Sequence, residues 1–524
     1  MMAGVDLYGL RLPRLRLPSI DRLISALGDP FRRDRIVLGL LAAYAAVWAL
    51  YGTISKSGHD MQFDAAEIVA WSHHLAFGYS KHPPVAAWIV RAWFTIFPIA
   101  NWAYYLLAMT YAALGLWIAW HLFGRYLNAD KRIAALALLT FVPYFNFLGL
   151  RFDHNAVLGP LWAATALCFF RSFETRSAFW AALAGAAAAG AMLGKYWSIF
   201  LLGGLALAAL ADVRRGAYFR SAAPWITVFV GAAVLAPHVI WLIQHDFITF
   251  SYAIDVHAIK TFSHTLIAVL RYLGGAIGYA AVPVIAVVVL TTPNAAAFAD
   301  MLLPRAPERR MVAVTFWATL LLPVLVAFAI NYEINPIWTL VDLVLLPLVL
   351  LSSPLLTVRR EVLAPVVGFA VVLPLGLLLL SPAIALAIHL KGIDPPEAHA
   401  RALAARIEEE WHKTTTRPLR IVGGEFIANS IVFYLPEQPA AFPVLEPETA
   451  PWVTPARIER DGAVMVCFLV DPGQKTCWGP VAEAINHFTA HNPPGRMVAV
   501  TLTRSLFGFA GKPARFLITI VPPA

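Results

Sequence analysis

The sequence predicts an all-α polytopic membrane protein of about eleven transmembrane helices, followed by a C-terminal α/β domain outside the bilayer. Three observations carry this. Hydrophobic residues make up 60% of the 524 and charged residues only 14%, with a mean hydropathy of +0.68. A soluble fold of this size has no use for so much apolar surface. Apolar runs close to the ~20 residues that cross a ~30 Å hydrocarbon core recur along the chain. Pro395-Pro396 then opens a stretch, 397–524, of mixed charge and short β-branched runs. A membrane β-barrel is excluded, because the apolar runs do not alternate with polar residues.

The first element is a basic arm, 1–35, with Arg11, Arg14, Arg16, Arg22, Arg32, Arg33 and Arg35. It lacks the short apolar core and small-residue cleavage site of a signal peptide. It is expected to stay in the cytoplasm and lie on anionic lipid. The net charge of +9 is then a topology signal. Basic residues are dispersed between the apolar runs and not gathered in one domain, which argues against nucleic acid as a partner.

The transmembrane domain is read over 36–391. Its apolar runs are 36–54, 102–124, 132–150, 155–171, 178–194, 196–211, 222–244, 272–291, 311–330, 337–352 and 362–390. The shorter segment 84–98 reads as a surface or re-entrant helix. Alternate connections hold the basic clusters: Arg125, Lys131 and Arg132; Arg171 and Arg176; Arg214, Arg215 and Arg220; Arg305, Arg309 and Arg310; Arg359 and Arg360. The positive-inside rule puts these in the cytoplasm with the arm, and an odd number of spans carries the tail to the outer, periplasmic side. The protein is thus expected in a bacterial inner membrane.

The outer connections hold the unusual residues. The loop 55–101 contains His59–Pro84, in which Asp64, Glu67, Ile68, Trp71 and His74 recur at helical spacing. That pattern predicts an amphipathic helix lying on the membrane surface, ended by Gly78 and Tyr79, with a reactive carboxylate at one end. A solvated loop is the plainer alternative. Asp153 precedes a membrane helix, where an acid can also simply satisfy free N–H groups. Lys195 and Tyr196 lie between two nearly continuous runs, where a lysine can simply snorkel. The stretch 244–260 reads as an aromatic loop containing Asp246, Asp255 and His257, and Glu333 sits in a tight turn before a Pro-started helix. Together these connections are expected to line a common cavity.

In the region 392–524, a helix is expected at 398–413, with strands in RPLRIVGGE, AVMVCFLV, RMVAVTLT and ARFLITIV and a second helix at 481–491. Cys168 reads as a small core residue. Cys467 and Cys477 are close enough in sequence to pair across Asp471-Pro472-Gly473, and two free thiols are equally open.

The segment from Asp64 to Arg91 resembles the first outer loop of the bacterial membrane glycosyltransferases related to the protein O-mannosyltransferases. This family has the GT-C fold and includes the lipid A aminoarabinose transferase and the rhizobial galacturonosyltransferases. Asp64, Trp71, Ser72, Gly78, Tyr79, His82, Pro83, Pro84, Ala87 and Trp88 carry the match. Asp153, Lys195-Tyr196, His245-Asp246, Phe250, His257, Glu333, Asn335 and Trp338 resemble later family positions. Ala65 and Lys81 depart from it, each standing where the family commonly has an acid.

The resemblance implies a polyprenyl-phosphate-linked sugar donor, a glycolipid or glycan acceptor, and transfer at the lipid bilayer with inversion. Asp64 is implied as general base, with Asp153 orienting the acceptor or a cation. Lys81, His82, Lys195, Tyr196, His257 and Glu333 are implied to bind the donor phosphate or sugar. A divalent cation is the one cofactor implied, with Asp64 and Asp153 as ligands. The charge of Lys81 further suggests an acidic donor sugar such as a uronic acid. A transporter or flippase for a lipid-linked sugar, and a catalytically silent relative that binds one, are the alternatives.

Overall fold

The computed structural model describes residues 5–7, 10–12, 18–259, 261–392, 395–469 and 492–524. The chain divides into two compact units, one of residues 1–49 and 108–377, the other of 50–107 and 378–524.

Six helices among the described residues are long and apolar enough to cross a membrane: Arg33–Gly58, Asn101–Phe123, Ala223–Gln244, Phe262–Thr291, Pro307–Ile330 and Arg360–Lys391. The other five apolar runs are shorter or broken. They form the helices Ala129–Thr140, Leu158–Thr175, Ala178–Gly194 and Ile199–Ala211, while the last, 337–352, splits into the short turns Pro336–Thr339 and Asp342–Val344 and the helix Leu346–Leu351. Apolar length alone does not reveal such breaks. Pro143, Pro336 and Pro347 each start a new turn where the run continues in sequence.

The first unit packs through small residues. A Cβ on Gly185 would meet the Thr227 carbonyl oxygen at 2.3 Å, so Ala178–Gly194 and Ala223–Gln244 touch backbone to backbone. Thr227 Oγ1 also donates across this contact to the Ala181 carbonyl at 3.0 Å. Gly204 makes the same kind of approach to Thr315 and Thr319 on Pro307–Ile330. The basic residues at 131 and 132 are not in a solvated loop. Both are buried in the first turn of Ala129–Thr140. Lys131 Nζ donates to the Ser353 carbonyl at 2.6 Å, and the Arg132 guanidinium lies 3.6 Å from the Trp120 ring centre.

In the second unit a five-stranded sheet runs in the order β4-β3-β5-β7-β6, with β3 Ile421–Gly424, β4 Ala440–Pro443, β5 Ala463–Phe468, β6 Arg496–Leu506 and β7 Phe509–Val521, numbered after the N-terminal hairpin strands β1 Val5–Leu7 and β2 Leu10–Leu12. β3 pairs parallel with β4 and β5, while β7 pairs antiparallel with β5 and β6. Alternation along β5 sends Val464 and Val466 to one face and Met465 and Cys467 to the other. The helices Pro395–His412 and Ile427–Tyr434 cover the first face through Leu403, Ile407, Trp411, Ile427 and Ile431, and Ala70 joins the same core. Cys168 is free and Cys467 is disulfide-bonded. Cys477 and the expected helix at 481–491 lie outside the described residues.

Candidate active site

The helix expected in the first outer loop is Phe63–Ser72. It ends at His73, six residues before Tyr79, so Gly78 and Tyr79 do not terminate it and His74 lies beyond its face. Nor is it amphipathic. Residues 65–72 are all buried, with Ala70 in the sheet core and the helix packed against Ile427–Tyr434. Trp71 stacks on Tyr79, ring centres 4.6 Å apart, and His82 meets Trp71 edge-on at 6.5 Å. The His82 carbonyl accepts the Tyr79 N–H at 3.0 Å, closing the turn ahead of Pro83-Pro84. The fold thus explains why the loop needs two large aromatic rings and a rigid exit.

Asp64 is half-buried in the first turn of that helix, and its Oδ2 accepts from Gln62 Nε2 at 3.0 Å. Lys81 forms an ion pair, unseen in the sequence, with Glu67 at 2.7 Å, side chains 11% and 6% exposed. Burial pushes the Glu67 carboxyl above its usual value, against the pull of Lys81. Lys81 therefore balances an acid on the helix Phe63–Ser72. Lys81→Met is expected to strand Glu67 and destabilise the protein by about 3 kcal/mol, whereas Lys81→Met with Glu67→Gln recovers most of that. Thermal midpoints of the four proteins in one detergent test this, and additive losses would dissolve the pair.

The first unit gathers a second cluster. Lys195 Nζ donates to Asn155 Oδ1 at 2.6 Å and lies 4.5 Å from the Trp338 ring centre. Trp338 meets His257 edge-on at 5.3 Å, and the His257 carbonyl accepts the Glu333 N–H at 2.8 Å. Residues 150–155, 194–198, 244–260 and 331–338 thus come together around one lysine. The 244–260 stretch is mostly the helix Ile248–His257, not a loop. Burial pushes the Lys195 ammonium down to about 8, with Asp153 opposing and Arg151 adding to the shift. Burial likewise lowers His257, which is held up by Glu333. Tyr196 turns elsewhere. Its hydroxyl meets His238 Nε2 at 2.7 Å and its ring stacks on Phe250 at 4.8 Å.

Asp153 has both oxygens engaged. Oδ1 accepts the N–H groups of Asn155 and Ala156 at 2.8 and 3.0 Å. Oδ2 accepts Arg151 Nε at 2.7 Å and Asn155 Nδ2 at 3.3 Å. Burial alone would raise this carboxyl, but Arg151, the two N–H groups and Lys195 hold it below its usual value. Such a donor-filled acid flanked by two cations does not fit a divalent metal ion. Among the described residues, no group of three or more His, Cys, Asp or Glu could hold one. In charge, Arg151 and Lys195 outweigh Asp153, beside an indole and an imidazole, an arrangement that can neutralise an anion. The sequence places Arg151 in the same outer connection as Asp153 but assigns no role to it or to Asn155, each two positions from Asp153.

The family model described as dolichyl-phosphate-mannose-protein mannosyltransferase matches residues 81–241. Among curated proteins, the lipopolysaccharide core galacturonosyltransferase RgtB of Rhizobium johnstonii is 29% identical over 42% of this chain and 44% of its own length. The lipid A galacturonosyltransferase RgtD of the same organism is 27% identical over 38% of this chain and 41% of its own length. The matched stretches therefore span less than half of either relative. Among solved structures, ArnT from Cupriavidus metallidurans bound to undecaprenyl phosphate aligns over 92% of this chain and 97% of its own, at 14% identity and a TM-score of 0.60. The apo form of the same protein aligns at 13% identity and a TM-score of 0.58, with the same coverage. The chain thus has the fold of ArnT, and its residues 81–241 match the dolichyl-phosphate-mannose-protein mannosyltransferase model, the family that the sequence was found to resemble.

Proposed function

We propose that the protein is an inner-membrane glycosyltransferase that moves a galacturonosyl-type sugar from a polyprenyl-phosphate donor to lipid A or lipopolysaccharide core on the periplasmic face. The observation that carries this is the half-buried Lys195, set between Asn155, Trp338 and His257, in a chain whose residues 81–241 match a family of lipid-phosphate-dependent sugar transferases. The leaving polyprenyl phosphate gathers negative charge as the glycosidic bond breaks, and Lys195 and Arg151 offset it. Asp64 takes the acceptor hydroxyl proton as the oxygen attacks the anomeric carbon, and a single displacement inverts that centre. His82, Tyr196 and Glu333 shape the walls of their own segments. The names of RgtB and RgtD support an acidic sugar, and with Lys81 tied to Glu67 the sugar carboxylate falls to other groups. The test is transfer by the purified protein in detergent, from polyprenyl-phosphate galacturonic acid to lipid A. Neither transfer nor donor hydrolysis, with donor still bound, would leave a silent relative. Donor translocation across liposomes without transfer would leave a flippase.

Eleven spans, with the amino terminus inside and the domain 392–524 outside, are part of this reading, supported by the alternation of arginine clusters. A periplasm-only reporter is expected to be active at Ala524 and silent within 212–220. The reverse pattern would refute the orientation.

A pH limb follows from Lys195. Its protonated form is the one that serves the phosphate, so kcat/KM is expected to fall above pH about 8, and Lys195→Arg, always charged, to move that limb upward. Unfolding does not mimic this. The folded value lies below the unfolded ~10.4, so between the two the unfolded chain holds the extra proton and stability rises with pH. An unmoved limb in Lys195→Arg would assign it to another group.

A further inference from the structure

The antiparallel hairpin of β6 and β7 closes in a two-residue turn. Leu506 pairs with Phe509, and between them Phe507 and Gly508 take left-handed backbones, φ 51° and 85°. Such a turn favours Asn-Gly or Asp-Gly, because its first position must accept a positive φ. Phenylalanine is a poor choice there for folding, since bulky residues rarely adopt that conformation. Nor does its ring serve the core: Phe507 is 60% exposed and Phe509 51%. Two large apolar side chains thus sit together at a tip where small polar residues are the usual choice.

The hairpin is fastened to the ends of two membrane-length helices. On β6, Arg504 donates to the Ser57 carbonyl, at the end of Arg33–Gly58, at 2.7 Å. On β7, the Phe509 carbonyl accepts from His389 Nε2, in the last turn of Arg360–Lys391, at 2.9 Å. The two helix ends touch, since a Cβ on Gly58 would lie 2.7 Å from the Ala385 carbonyl oxygen. Contacts along Arg360–Lys391 also give the hairpin a direction. Gly392 faces the Lys512 side chain, whereas Gly511 and the Phe509 carbonyl face His389. The chain from 512 to 509 therefore runs back along the helix, toward its apolar body, and Phe507 leads. Leu379, Leu380 and Leu390 of the same helix are exposed too, at 81%, 57% and 54%, so the apolar tip continues the apolar surface of a span.

We propose that the tip Leu506–Phe509 docks into the bilayer surface at this end of the helices, with both phenylalanine rings among the lipid acyl chains. Lys391 and Lys512, both exposed at the level of the helix end, meet the lipid phosphates above them. Aromatic and apolar side chains with basic residues behind them are the composition of a segment that lies in a membrane interface. The proposal requires only that these helices span, and it holds whichever reaction the protein performs.

The experiment is spin labelling of the full-length protein, one copy per phospholipid nanodisc, with the free Cys168 changed to alanine. One label is placed by Phe507→Cys. The other is placed by Met497→Cys, at an equally exposed apolar residue about 33 Å away along β6. Oxygen concentrates among acyl chains and a nickel chelate stays in water, so the ratio of oxygen to nickel collisions is expected to be severalfold higher at 507 than at 497. In the unmodified protein, a phospholipid with a photoreactive group in its acyl chain is expected to cross-link to 506–509 as well as to the spans, and not to 496–498. That measurement keeps the test open if a label disturbs the turn. Equal collision ratios at the two positions, cross-links confined to the spans, or a label at 507 shielded from both oxygen and nickel, as beneath a protein partner, would each overturn the proposal.

Discussion

Asp64→Asn is expected to abolish sugar transfer while the protein still inserts and still binds the lipid donor. Loss of a general base costs on the order of 10²–10⁴ in rate. The structural cost of the same change is small. Asp64 sits in the first turn of Phe63–Ser72, where a carboxylate gains about 0.3–1 kcal/mol from the helix dipole. Its Oδ2 accepts from the Gln62 amide, a bond that an asparagine oxygen can also accept. A large kinetic loss with a small thermal shift is therefore the signature of a chemical role. The other acid of the helix, Glu67, is buried against Lys81 and is a poor substitute. Turnover near that of the parent protein from a folded Asp64→Asn would move the base elsewhere. Asp153 would have to release Arg151 and two N–H groups to serve.

Asp60→Ala is expected to give the largest loss of stability in the second unit. Asp60 is 1% exposed and accepts Arg504 at 2.6 Å and the Arg401 N–H at 2.8 Å. Arg504 also donates to the carbonyls of Ala398 and Ser57, at 2.9 and 2.7 Å. One guanidinium thus ties β6 to the segment leading into Asp64 and to the start of Pro395–His412. Removing the acid leaves a largely buried cation, which typically costs about 3–5 kcal/mol, or on the order of 10 °C in thermal midpoint. Asp60→Ala with Arg504→Leu should cost less than the two changes added together, because no charge is stranded. Transfer should fall in both single variants, as the segment before Asp64 loses its anchor. Strict additivity, with activity intact, would mean that this ion pair neither holds the unit together nor positions the loop.

Much of the architecture was legible in the sequence. Six of the eleven apolar runs are helices long enough to span, because hydrocarbon sets their length and lipid demands helices, while the breaks in the other five left no mark on apolar length. Four of the five strands of the C-terminal sheet were legible because β-branched alternation survives in β5, β6 and β7 and in the run around β3. The edge strand β4, AAFP, and the helix Ile427–Tyr434 were not. The first is too short to show a period, and the second is rich in residues that favour strands.

At the candidate site the sequence by itself determined which segments carry unusual polar residues: Asp64, Lys81, Asp153, Lys195, His257 and Glu333 stand out because charge is scarce among apolar runs. Only the tertiary structure decided what each does with its charge. Glu67 with Lys81, Lys195 with Asn155, and Asp60 with Arg504 are separated by 14, 40 and 444 positions. No local period links such pairs. Likewise, the helix Phe63–Ser72 looked like a surface element because its polar residues recur every turn, and it is buried because those residues find partners inside the fold. Sequence spacing reports which side chains share a face. Whether that face meets solvent or a matching charge depends on chain segments hundreds of residues away, and burial makes that choice worth several kcal/mol.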